Sequence, residues 1–104
     1  MNVYIDKLVH QQIIEFYEVA MAKHITLDEV TVSHKIDRLY DALNNLGLYA
    51  MSFPLARLKQ GWIANGYREY LYDDFHFAYQ IYEREDGTQI VRVHEACHSF
   101  LYHE

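Results

Sequence analysis

Apolar positions in the first half of the chain recur at helical spacing. From Ile5 they fall at Val9, Ile13, Phe16, Tyr17, Ala20 and Met21, the three-and-four interval that lays a stripe along one helix face. A first helix is expected over about residues 5–24. Thr26 followed by Glu29 has the form of a capping box, in which hydroxyl and carboxylate satisfy two orphan N–H groups. Val32, Ile36, Leu39, Tyr40, Leu43 and Leu46 carry the same period to Gly47, a residue suited to the left-handed position past a helix end. The second helix is therefore expected over about residues 27–46, forming a hairpin with the first.

After Gly47 the helical period breaks. Met51 to Gly66 contains Pro54, Gly61 and Trp62 and reads as an irregular crossover with one helical turn near Leu55–Lys59. From Tyr67 the period becomes two, predicting antiparallel strands over about 67–72, 75–84 and 88–98, connected by Asp73-Asp74 and Glu85-Asp86-Gly87. The second connection fixes a register. With Gly87 in the left-handed position of a three-residue loop, Ile81 opposes Val91 and Tyr79 opposes Val93, so apolar side chains share a face. A two-residue loop would mix apolar and polar side chains on both faces. One face then carries Phe75, Phe77, Tyr79, Ile81, Val91 and Val93, enough to cover the helices. The other carries His76, Gln80, Tyr82, Arg92, His94 and, at the strand end, His98; Arg68 and Tyr70 join it if the even residues of the preceding strand point the same way. The fold class is α+β: a helical hairpin on an antiparallel meander of at least three strands, in one domain spanning residues 1–104.

Composition narrows the chemistry. The chain has 104 residues, 51% hydrophobic and 23% charged, and no repeat or linker-like stretch, which excludes disorder and internal domain boundaries. Fifteen acidic against nine basic residues leave a net charge of −6, opposite to a dedicated nucleic-acid binder, so any RNA or DNA role needs a local patch. Arg57, Lys59, Arg68 and Arg92 are the residues from which such a patch would be built. Cys97 is the only cysteine, which excludes an intrachain disulfide and a cysteine-based zinc site and fits a reducing, cytoplasmic setting. No uncharged run reaches the roughly 18 residues of a membrane span. Six of ten Tyr and four of seven His lie from residue 67 onward, so the sheet is where chemistry is to be sought.

Several chemistries find no support. In a strand, His94 and His98 lie about 13 Å apart, too far to share a metal ion, and His76 with His94 is the one pair near enough as diagonal neighbours. No metal or other cofactor is implied. A glycine-rich phosphate loop, a Gly-x-Ser-x-Gly elbow and a Cys-His nucleophile are all missing, since Cys97 and His98 point to opposite strand faces. The plainer reading of the histidines is that they are partly exposed sheet residues, and of Arg68 and Glu69 that they form a cross-strand ion pair.

The helical hairpin, the run Gly66-Tyr67-Arg68-Glu69-Tyr70-Leu71, the run Phe75-His76-Phe77-Ala78-Tyr79-Gln80-Ile81-Tyr82, an Asp-Gly turn and a valine-rich last strand with His98 together resemble the RelE/ParE toxin superfamily. The resemblance covers most of the chain. It implies two helices against an antiparallel sheet, often with a short first strand, for which Asn2–Ile5 offers a stub. It also implies a toxin of a type II toxin-antitoxin (plasmid stabilisation) system, neutralised by a cognate antitoxin, whose output is growth arrest. Members of that superfamily either cleave mRNA on the ribosome without a metal or poison DNA gyrase. Carried over, Arg68 and His76 fall where the nucleases place basic residues, and His98 and Tyr102 fall in the C-terminal stretch that supplies proton-transfer groups. Metal-free cleavage needs a base for the ribose 2′-OH, an acid for the leaving oxygen and cations for the phosphate. His94 or His98 would act as base or acid, with Arg68 and Arg92 as the phosphate clamp.

Three features point away from a nuclease: His76 replaces an always-charged Arg, the Tyr102-His103-Glu104 end bears an acid in place of a strongly basic tail, and the net charge is acidic. They favour gyrase inhibition, or a catalytically degenerate fold that still docks an antitoxin. Trp62 suits either the core or, with Phe100 and Tyr102, an exposed contact for a partner helix or strand; the same surface would serve a homodimer.

Overall fold

A computed structural model describes residues 1–24 and 26–102. The helices precede the main run of strands, and the class is α+β, as the periodicities predict. In chain order the elements are β1 (Asn2–Ile5), α1 (Lys7–Lys23), α2 (Glu29–Asn45), two short 3₁₀ turns (Leu46–Leu48 and Ala50–Ser52), α3 (Gln60–Ala64), β2 (Arg68–Tyr72), β3 (Phe75–Glu83) and β4 (Gln89–His98). The sheet is four-stranded and mixed, in the order β1-β4-β3-β2, rather than a purely antiparallel meander.

The N-terminal stub is a true edge strand. Asn2 to Ile5 pairs in parallel with Ile90 to Val93, and the Asp6 N–H extends the ladder to the Val93 carbonyl at 2.9 Å. Ile5 thus belongs to β1, and α1 starts at Lys7 after an extended Asp6. Ile5 lies four residues before Val9, so its position fitted the helical stripe as well as a strand, and only pairing with β4 separates the two. The second helix also starts differently. Its N-cap is Asp28, whose carboxylate accepts from the Thr31 N–H at 2.7 Å, and not the Thr26–Glu29 box.

Gly47 does not terminate α2 in a left-handed conformation; it lies in the 3₁₀ turn with an ordinary φ. Its lack of a side chain serves a close approach instead, because a Cβ there would sit 2.0 Å from the Met1 carbonyl oxygen. The crossover helix is α3 at Gln60–Ala64, not Leu55–Lys59; Leu55 instead forms an isolated bridge to Arg68. Gly87 does adopt a left-handed φ of 86°, and Ile81 opposes Val91 while Tyr79 opposes Val93, as the three-residue loop requires. Asp73 and Asp74, at φ 49° and 66°, form the two-residue turn that pairs Tyr72 with Phe75.

The main core lies between the helices and one sheet face. Val9, Ile13 and Tyr17 of α1 and Val32, Leu39 and Leu43 of α2 cover Phe75, Phe77, Tyr79, Val91, Val93 and Ala96. The Tyr79 hydroxyl donates to the buried Ala50 carbonyl at 2.5 Å, and burial pushes its pKa up to about 12. A second, smaller core lies on the opposite face, where Trp62 and Ala56 of the crossover pack on Ala78. The face read as open is therefore partly roofed. Among the described residues, no helix is long and apolar enough to cross a membrane.

Candidate functional site

Two irregularities decide which residues meet on the roofed face. The first is a β-bulge in β4. Ala78 opposes Glu95 while Tyr79 opposes Val93, so His94 is the extra residue and side-chain parity reverses beyond it. Val91 and Val93 point to the helices, but so do Ala96 and His98. His98 is therefore not on the polar face: it stacks on Phe16 of α1 with ring centroids 3.9 Å apart and meets Phe75 edge-on.

The second is the parity of β2. Because Tyr72 opposes Phe75, the residues opposite the apolar Phe77 and Tyr79 are Tyr70 and Arg68. Arg68 accordingly lies at the edge of the helix face and donates from its Nη1 to the Phe53 carbonyl at 2.6 Å. It does not pair with Glu69, nor does it reach the roofed face. The odd residues of β2, Glu69 and Leu71, point there instead.

Glu69 organises the site. Its Oε2 lies 2.8 Å from His76 Nδ1, and its Oε1 accepts from the Tyr102 hydroxyl at 2.5 Å. Tyr102 stacks on the His76 ring, with centroids 3.7 Å apart and planes within 13°. The other ring nitrogen, His76 Nε2, is 3.1 Å from Ser99 Oγ. Lys59 Nζ lies 5.8 Å from the Tyr102 ring centre and 5.7 Å from that of Trp62, so its charge sits against aromatic faces. A groove of about 450 Å³ opens beside this cluster, lined by Arg57, Glu69 and Tyr102 together with the exposed Leu55, Leu58 and Leu71. Of the candidate basic residues, Arg57 lines the groove with Glu69 and Tyr102 and Lys59 lies against the Tyr102 ring, whereas Arg68 does neither.

Arg92 and His94 form a separate cluster. Arg92 makes a two-point contact with Asp6, Nε to Oδ1 at 2.8 Å and Nη2 to Oδ2 at 3.1 Å, which occupies the guanidinium that a phosphate would need. The bulge aims His94 at the same carboxylate, with Nδ1 3.4 Å from Asp6 Oδ2 and Nε2 3.0 Å from the Tyr82 hydroxyl, while Tyr67 stacks on its ring. This cluster fastens the β1–α1 corner to β4.

Burial holds the His94 and His98 pKa values below the usual 6.5, and the Arg92 charge adds to the effect at His94. Both imidazoles bind protons more tightly in the unfolded chain, so the stability they contribute is present above the unfolded value and is lost as pH falls through the lower folded values. The thermal midpoint is expected to drop between about pH 7.5 and about pH 5, before the carboxylates titrate. A constant midpoint across that interval would contradict this account.

His76 and Tyr102 are the sequence-derived candidates that share a site. Glu69 and Ser99 were not among them. The signal for Glu69 was present, because a two-residue Asp73-Asp74 turn fixes Leu71 opposite His76 and Glu69 opposite Ala78. For Ser99 there was none, since its position depends on how the chain turns after β4. Among the described residues no group of three or more His, Cys, Asp or Glu is placed to hold a metal ion. The chain matches no protein-family model, no curated protein and no solved structure.

Proposed function

We propose that this chain is a toxin of the RelE/ParE kind that arrests growth by cleaving mRNA at the ribosome and is neutralised by a cognate antitoxin. The observation that carries the reading is an acid–base network, Glu69–His76–Tyr102, that meets an open groove through Glu69 and Tyr102, with Arg57 on the groove wall and Lys59 against the Tyr102 ring. With the Glu69 carboxylate on Nδ1, His76 Nε2, which also lies against Ser99 Oγ, is the nitrogen that accepts the ribose 2′-OH proton. The freed 2′-oxygen attacks phosphorus, the bond to the 5′-oxygen breaks, and the Tyr102 phenol returns a proton to that oxygen. Arg57 and Lys59 stabilise charge on the equatorial phosphate oxygens, a role that neither Arg68 nor Arg92 is free to fill. Arg57 on the groove wall and Lys59 against the Tyr102 ring bring local positive charge to a chain of net charge −6.

That same charge favours a second reading, in which the fold poisons DNA gyrase or docks an antitoxin without catalysis. Tightly controlled induction in a bacterial culture, alone and with the neighbouring open reading frame, tests both. Arrest relieved by the neighbour, with new mRNA ends and intact DNA, is the expected result. Arrest with DNA breaks and intact mRNA would move the target to gyrase, and growth without arrest would leave only the binding module.

A further inference from the structure

We propose that Ser99 is a nucleophile, activated by Glu69 and His76, that takes the acyl group of activated esters and thioesters. Glu69 Oε2, His76 Nδ1, His76 Nε2 and Ser99 Oγ follow one another with gaps of 2.8 Å and 3.1 Å across the imidazole. A carboxylate on Nδ1 keeps the proton there and turns the Nε2 lone pair toward the hydroxyl, the arrangement by which an imidazole activates serine. The three side chains come from β2, from β3 and from the segment after β4, so their alignment is a product of the tertiary fold.

The geometry is held from several sides. Tyr102 stacks on the imidazole and donates to the second oxygen of Glu69, fixing ring and carboxylate together. The Ser99 N–H donates to the Asp74 carbonyl at 2.7 Å, which anchors its backbone, while the residue itself is exposed and reachable from solvent. This inference does not depend on RNA cleavage: the RNA reading uses His76, Tyr102 and the two cations without Ser99, whereas acylation requires Ser99.

The step balances without a co-reactant. Ser99 Oγ attacks the carbonyl carbon, His76 Nε2 takes the hydroxyl proton, and the adduct collapses with loss of the leaving oxygen or sulfur, which carries that proton away. Water deprotonated by His76 then releases the acid from the serine ester. The substrate class follows from what surrounds Ser99. The N–H groups of Phe100, Leu101 and Tyr102 are directed to His98 Nδ1, the His98 carbonyl and the Ser99 carbonyl, so they form no oxyanion pocket. Aryl esters and thioesters, whose leaving groups depart with little help, are therefore the donors.

The test is incubation of the purified full chain with p-nitrophenyl acetate, followed by nitrophenolate release and peptide mapping by mass spectrometry. One acetyl group on Ser99 is expected, formed about 10²-fold or more faster than background reaction of Ser99→Ala. Glu69→Gln is expected to slow it as well. Because Ser99 is exposed, Ser99→Ala retains the wild-type melting temperature, and a fluorophosphonate probe gives a second readout by labelling the wild type at Ser99 and sparing the variant. Acetyl confined to lysines, Cys97 or the N-terminus, or equal release from Ser99→Ala, would overturn the proposal. Growth arrest is scored separately, so labelling of Ser99 in a chain that arrests nothing would leave this inference standing and sink the RNA reading.

Discussion

His76→Ala is expected to cut mRNA cleavage after induction by about 10²- to 10⁴-fold and to abolish growth arrest, because it removes the imidazole that Glu69 orients against Tyr102. The competing histidines are placed elsewhere. His98 is stacked under α1 and His94 is engaged by Asp6 and Tyr82, so neither substitutes for it. Loss of the ring also removes the stack on Tyr102 and the partner of Glu69 Oε2, so His76→Gln, which retains a polar group of similar reach, serves as the companion variant. Arg57→Ala and Lys59→Ala are each expected to lower cleavage by about 10²-fold, the scale for losing one preorganised charge at a developing anion. Arg68→Ala behaves differently: its guanidinium holds the Phe53 carbonyl, so the loss appears in the melting temperature first. Growth curves, mapped RNA ends and thermal melts on the same five variants separate these outcomes. Full arrest with unchanged RNA ends from His76→Ala would remove His76 from the mechanism.

Trp62→Ala is expected to lose about 3–5 kcal/mol of stability, a large share of the roughly 5–15 kcal/mol that holds a domain of this size folded. Trp62 is 1% exposed and forms the centre of the small core over Ala78. On the proposed function, mRNA cleavage is expected to fall as well, since the same crossover carries Arg57 to the groove and Lys59 to the Trp62 and Tyr102 rings. Trp62→Phe is expected to cost less than alanine. The phenyl keeps much of the packing and deletes an indole N–H that, among the described residues, meets no acceptor. Urea denaturation monitored by far-UV circular dichroism checks both. An alanine variant within about 1 kcal/mol of wild type would show that this face is not a core at all.

Much of the fold was legible because local patterns agreed with each other. The stripe from Val9 to Met21 and that from Val32 to Leu46 each described one helix face, and Glu85-Asp86-Gly87 set the β3–β4 register through the only arrangement that segregates apolar side chains. The acid–base site was legible in part. Tyr102 was singled out for proton transfer and His76 as a basic residue, while the acid and base roles were expected of His94 or His98; the Asp73-Asp74 turn contained the parity that brings Glu69 beside His76 and Tyr102.

What the sequence by itself determined was therefore the order of elements, the hairpin registers and the chemical types available on each strand, since these follow from nearest-neighbour periodicity and turn geometry. Tertiary structure alone decided three things. It placed Asn2–Ile5 on β4 as a parallel edge, a pairing across some ninety residues that no local pattern encodes. It inserted His94 as a bulge, one unpaired residue that turns His98 under α1 and Cys97 onto the Ala56–Trp62–Ala78 cluster. It also folded the Leu55–Tyr67 crossover over Ala78, delivering Arg57 and Lys59 to Glu69, His76 and Tyr102. Each of these trades a local preference for burial against a distant surface, and that balance is set only when both surfaces are present.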